Sequence, residues 1–103
     1  MAVVQMSVWR PNAGRAMEFA AQVQQAKAIH EALGAQVGLW QAIAGGHAGT
    51  VTYVLTFEDL AAYGTFGVKM ASDEAWQSFW IGAQADPTAT LVETVLAGEL
   101  PEA

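Results

Sequence analysis

The stretch Thr50-Val51-Thr52-Tyr53-Val54-Leu55-Thr56-Phe57 decides how this chain folds. Its β-branched and aromatic residues favour an extended backbone, in which successive side chains point to opposite faces. One face then carries Val51, Tyr53, Leu55 and Phe57, and the other Thr52, Val54 and Thr56. Neither face holds a charge. A strand with one wet side usually shows charged residues there, so this one predicts cover on both sides.

Working outward, Val3–Trp9, Gln36–Ala44 and Thr90–Ala97 also read as strands. In the register that groups the large residues, Val4, Met6, Val8, Val37, Leu39 and Ile43 join the first face. Gln5, Ser7, Trp9, Trp40, Val92, Thr94 and Leu96 join the second, which has no Lys, Arg, Asp or Glu. The chain's own helices cover one face. The other predicts a second copy, two sheets meeting in a homodimer. Glu93 is the one charged residue inside a predicted strand. Beside Leu91 and Val95 it faces the helices, a slip of one residue moves it to the dimer face, and on an edge strand it reads as a carboxylate met by water.

The first helix is expected from about Gly14 to Leu33, with Phe19, Val23, Ala26, His30 and Leu33 on one stripe and Gly34 placed to end it. Gly45-Gly46-His47-Ala48-Gly49 reads as a hairpin connection. A second helical region spans Asp59 to Ala85, weakened by Gly64 and Gly67. Ser72 is expected to cap its restart, and Asp86-Pro87 to stop it. An acidic tail, Gly98 to Ala103, follows. The order strand, helix, strand, strand, helix, strand predicts an α+β, ferredoxin-like βαββαβ domain over residues 1–103: a four-stranded antiparallel sheet with both helices on one face.

Composition narrows the functions. The 103 residues fill one domain. Only 14% are charged, against about a quarter in an average chain. A net charge of −6 with four scattered basic residues argues against nucleic acid and anionic membrane surfaces as partners. The absence of cysteine removes disulfides, thiolate metal sites and Cys nucleophiles. The N-terminal residues lack a signal-peptide pattern, which makes the cytoplasm the expected compartment.

Three stretches carry a family resemblance. They are Trp9-Arg10-Pro11-Asn12-Ala13-Gly14-Arg15 leading to Glu18-Phe19, Phe57-Glu58-Asp59-Leu60-Ala61-Ala62-Tyr63, and Ser72-Asp73-Glu74-Ala75-Trp76 ahead of Asp86-Pro87. In these the chain resembles the dimeric α/β-barrel superfamily, and within it NIPSNAP-like and antibiotic-biosynthesis-monooxygenase-like domains. The resemblance implies two sheets packed into a barrel across a two-fold axis and a small apolar molecule held between helices and sheet. It also implies one of three roles: oxygenation without metal or flavin, haem binding or degradation, or no catalysis.

His30, in the middle of an apolar stripe, is the main candidate for chemistry. It reads as a general base, as an axial haem ligand, or as a buried histidine bonded to a backbone carbonyl. Trp76 and Trp80, four apart, read as an aromatic wall for a flat ligand or as core or dimer contacts. Phe19, Val23, Tyr53 and Phe66 complete the expected pocket lining. His47 lies in the Gly-rich hairpin, with no further ligand at a metal-binding spacing. No phosphate loop, Ser nucleophile elbow or paired-carboxylate motif is present. The expected function is a homodimer that binds a small apolar or aromatic molecule. It acts as a cofactor-independent monooxygenase or isomerase with His30 as base, or as a non-catalytic dimer. No cofactor is expected, with haem on His30 as the alternative.

Overall fold

In the computed structural model, which describes residues 1–101, the elements run β1 (Val3–Pro11), α1 (Ala16–Ala32), β2 (Gln36–Gln41), β3 (Val51–Phe57), α2 (Leu60–Ser72), α3 (Glu74–Ala85) and β4 (Ala89–Gly98). The end of the expected acidic tail, residues 102–103, lies outside the described residues. The four strands form one sheet in the order β2-β3-β1-β4, and every pairing is antiparallel. This is the ferredoxin-like βαββαβ arrangement, with the second helix divided in two. No helix of the described residues is long and apolar enough to cross a membrane.

The division falls at Asp73, not at the glycines. Gly64 and Gly67 both lie inside α2. Asp73 ends α2 and caps α3: its extended backbone (φ −81°, ψ 119°) turns the chain, and its carboxylate accepts from the Trp76 N–H at 2.8 Å. Ser72, the expected cap, instead lies in the last turn of α2, its hydroxyl donating to the Val68 and Lys69 carbonyls at 3.4 Å. Aspartate caps as well as serine, and the cap falls on the residue whose φ/ψ leaves the helix.

The faces of the sheet also differ from expectation. Val3, Gln5, Ser7 and Trp9 of β1 pair with Phe57, Leu55, Tyr53 and Val51 of β3. Paired residues share a face, so Gln5, Ser7 and Trp9 lie on the helix side. Val4, Met6 and Val8 lie on the outer side with Thr56, Val54 and Thr52. In β4, Leu96 and Thr94 sit on the helix side, opposite Gln5 and Ser7, while Val95 and Glu93 sit outside, opposite Met6 and Val8. The register then shifts between Val8 and Trp9, so that Leu91 faces Trp9 on the helix side and Val92 is the surplus residue of a β-bulge. Glu93 therefore points away from the helices. Ile43 joins neither face: β2 ends at Gln41, and Ile43 is 92% exposed in the hairpin loop. That loop is closed by Ala42 N–H to the Thr50 carbonyl (2.9 Å) and Gly49 N–H to the Ala42 carbonyl (2.8 Å).

The core is the layer between the helix side and α1 and α2: Val3, Phe19, Val23, Ala26, Ala35, Tyr53, Leu55, Phe57 and Phe66. Each large apolar side chain buried there stabilises the fold by about 1.5–3 kcal/mol. The outer side has no such cover, and its Trp40 is 70% exposed. The molecule is a slab, 44 × 37 × 17 Å, with a radius of gyration of 14.3 Å, against about 13 Å for a closed domain of this length.

Candidate functional site

Beneath the helices a cavity of about 280 Å³ opens between α1, α3 and the β1–β4 side of the sheet. Helical spacing builds two of its walls. Phe19, Gln22, Val23, Ala26 and His30 recur at three or four residues along α1, and Trp76, Phe79, Trp80 and Ala83 do the same along α3. The sheet contributes Gln5, Ser7, Trp9, Tyr53, Leu55, Leu91 and Thr94. No Asp, Glu, Lys or Arg lines it. Some of the polar groups are already paired: the Trp9 indole N–H donates to Ser7 Oγ (2.9 Å), and the Thr88 hydroxyl to Gln22 Oε1 (2.6 Å).

His30 is held at the end of α1 by the way the helix stops. The Gly34 N–H reaches the Glu31 carbonyl and the Ala35 N–H reaches the His30 carbonyl, both at 3.1 Å, with Gly34 in the left-handed region at φ +99°. These two bonds are a Schellman motif, so the backbone of His30 is fixed by the cap. Its ring is only 4% exposed. It lies 4.3 Å from the Trp76 ring and 5.5 Å from the rings of Tyr53 and Phe66. Nδ1 is 2.7 Å from the Tyr53 hydroxyl, so the partner is a side chain and not a backbone carbonyl. Nε2 is the one buried side-chain nitrogen or oxygen among the described residues that has no hydrogen-bond partner.

Two effects oppose each other at this ring. The C-terminal end of α1 favours an imidazolium, whereas burial among aromatic rings disfavours the charge. Burial wins and pushes the pKa of His30 down to about 4. Burial, reinforced by the charge of Glu31, raises the Tyr53 phenol above its ordinary value. Both groups are neutral near pH 7.

Of the residues singled out from the sequence, the fold brings Phe19, Val23, His30, Tyr53, Trp76 and Trp80 to this cavity. Phe66 lies behind it, 3% exposed, against His30 and Phe57. Trp9, assigned from the sequence to the charge-free face, lines the cavity instead, with its ring 6.2 Å from Phe19. Phe79, between Trp76 and Trp80 on α3, and Leu91, on the helix side of β4, line it too. His47 lies far along the hairpin and is exposed. Among the described residues no three His, Asp or Glu side chains cluster to hold a metal ion. A second hollow, near α2 and the β2–β3 end, is bordered by Glu58 and Lys69 and has no unpartnered buried polar atom.

One part of the cavity wall is Pro87 and Thr88, next to Asp86. Arg15, at the start of α1, donates to both carboxylate oxygens of Asp86 (2.6 and 2.8 Å) and to Glu18 (2.6 and 3.2 Å). The pairing holds both carboxyls below their usual range and the guanidinium above its own. This fork ties the start of α1 to the turn that follows α3.

Residues 4–96 match the family model described as NIPSNAP. No curated protein matches the chain in sequence. Among solved structures, a NIPSNAP family protein from Agrobacterium tumefaciens is similar with a TM-score of 0.72 at 19% identity, over 99% of this chain and 94% of that one. An uncharacterised NIPSNAP domain protein from Burkholderia xenovorans gives 0.73 at 20% identity, over 95% and 94%. A proposed antibiotic biosynthesis monooxygenase from Chloroflexus aurantiacus gives 0.67 at 10% identity, over 100% and 97%. At these identities the likeness is one of fold.

Proposed function

From the premise that the chain belongs to the NIPSNAP family, we propose that it is a cytoplasmic homodimer holding one small, uncharged, largely apolar molecule per subunit between helices and sheet. The observation that carries this reading is the unpartnered, buried Nε2 of His30, a residue that lines a cavity walled mostly by aromatic and aliphatic side chains. A buried polar atom without a partner costs about 1–3 kcal/mol. A ligand that supplies the missing hydrogen bond recovers that cost, and an apolar pocket with a few placed polar groups is the usual form of a small-molecule site.

The same geometry weighs binding against base catalysis. An effective general base has a pKa near the working pH, and His30 is depressed to about 4. Its neutral ring is better suited to orienting a ligand than to removing a proton. Oxygenase- or isomerase-like chemistry at this site therefore requires a substrate acidic enough for a weak base. An engineered cavity of about 150 Å³ holds benzene. About 280 Å³ is then room for two fused rings, and a porphyrin on His30 would have to project through the open side of the cavity.

The dimer is supported by the outer face of the sheet. Val4, Met6, Val8, Val54, Val95 and Trp40 share it with threonines, and Glu93 is its one carboxylate. A face of this composition is normally covered. The test of the pocket is native mass spectrometry and thermal shift with a panel of neutral bicyclic compounds. Binding at one per subunit that Trp80→Glu abolishes supports the reading. No binding by any member overturns it.

A further inference from the structure

The hydrogen-bond polarity of His30 selects among the ligands that the cavity could take, an inference that rests on the binding reading above. Tyr53 is 8% exposed, and its hydroxyl has one hydrogen-bond partner, Nδ1 of His30. A phenol carries one proton to donate. If Nδ1 carried the imidazole proton, the Tyr53 hydroxyl would accept it, and its own buried proton would have nowhere to go. With Tyr53 donating to the Nδ1 lone pair, both groups are satisfied. A neutral imidazole carries a single N–H, which this arrangement puts on Nε2. The unpartnered Nε2, on a residue that lines the cavity, is thus a donor, and its missing partner is an acceptor.

We infer that the ligand is an uncharged, planar molecule of about two fused rings bearing a hydrogen-bond acceptor such as a ketone or lactone oxygen, which takes the Nε2–H of His30, and that Tyr53 is the residue that fixes this preference. The absence of Asp, Glu, Lys and Arg from the lining leaves a charged ligand uncompensated. The rings of Trp76, Phe79 and Trp80, centroids 5.5–5.6 Å apart with interplanar angles of 33° and 21°, form a wall for a flat one.

Three neutral two-ring probes of similar size separate the possibilities: coumarin offers an acceptor, indole a donor only, and naphthalene neither. In equilibrium dialysis with the full chain, coumarin is expected to bind about tenfold or more tighter than indole, since indole sets donor against donor. Tyr53→Phe frees the imidazole to move its proton and is expected to bring the coumarin and indole affinities within about threefold of each other. Histidine ¹⁵N chemical shifts of the unliganded wild type, which need no variant, are expected to show Nε2 protonated and Nδ1 not. Indole binding as tightly as coumarin, or a proton on Nδ1, overturns the inference but not the pocket. Failure of all three probes to bind overturns both.

Discussion

Acidification is expected to unfold this protein through His30 well before its carboxylates titrate. The imidazole has an ordinary pKa of 6.5 when the chain is unfolded and about 4 in its place beside Trp76. Folded and unfolded states bind protons equally above the unfolded value. Below it the unfolded state takes a proton that the folded state refuses, so stability falls with pH at about 1.4 kcal/mol per unit. That amounts to about 2 kcal/mol lost by a pH of about 5, and about 3 kcal/mol by about 4. Asp86 and Glu18, held low by Arg15, contribute stability that is lost only as pH falls through the carboxylate range, below most of this window. The assay is urea unfolding followed by tryptophan fluorescence at fixed protein concentration, on the wild type and His30→Leu. The variant is expected to lose the slope between about pH 7 and 5, whatever its absolute stability. Parallel curves would show that burial does not depress His30 and would refute the neutral-imidazole account of the site.

Three further outcomes are expected. Val54→Glu, which sets a carboxylate at the centre of the outer face opposite Met6, should convert a dimer to monomer or precipitate it; an unchanged mass in light scattering would sink the sheet-to-sheet assembly. Asp73→Ala should cost about 1 kcal/mol through the lost N-cap of α3, whereas Ser72→Ala should stay within about 0.5 kcal/mol, and equal effects by urea titration would place the cap elsewhere. Asp86→Ala should speed hydrogen exchange in α3 and at the start of α1 together, because Arg15 links them; exchange unchanged at both ends would mean that the fork does not hold the two helices together.

Much of the fold is written in local pattern. The alternation of Val51 to Phe57 and the three- and four-residue spacing from Phe19 to His30 each specify an element without reference to the rest of the chain, and that spacing also turns His30 inward. What local pattern does not contain is which side of β1 goes where. Val4, Met6 and Val8 are more apolar than Gln5, Ser7 and Trp9, so hydrophobicity alone puts the first set against the helices. The structure does the reverse. Trp9 then belongs to the cavity, which no rule of spacing within β1 reveals. The Asp73 break was misplaced by one residue for a simpler reason: serine and aspartate are both good caps, and only the backbone dihedrals choose between them. The Tyr53–His30 bond joins residues 23 apart in sequence, through the packing of α1 on the sheet, which neither residue announces.

The surplus residue in β4 has a reach beyond its own position. By taking one side chain out of the alternation, Val92 inverts the parity of everything on one side of it relative to the other. Leu91 and Thr94, an odd distance apart, thereby look into the same hollow, and the carboxylate between them looks out of it. Losing that single codon would restore plain alternation and keep both environments, with Leu91 two positions from Thr94 and the carboxylate between them still on the outer side. Among changes of length in this strand, the loss of Val92 is therefore expected to be the best tolerated.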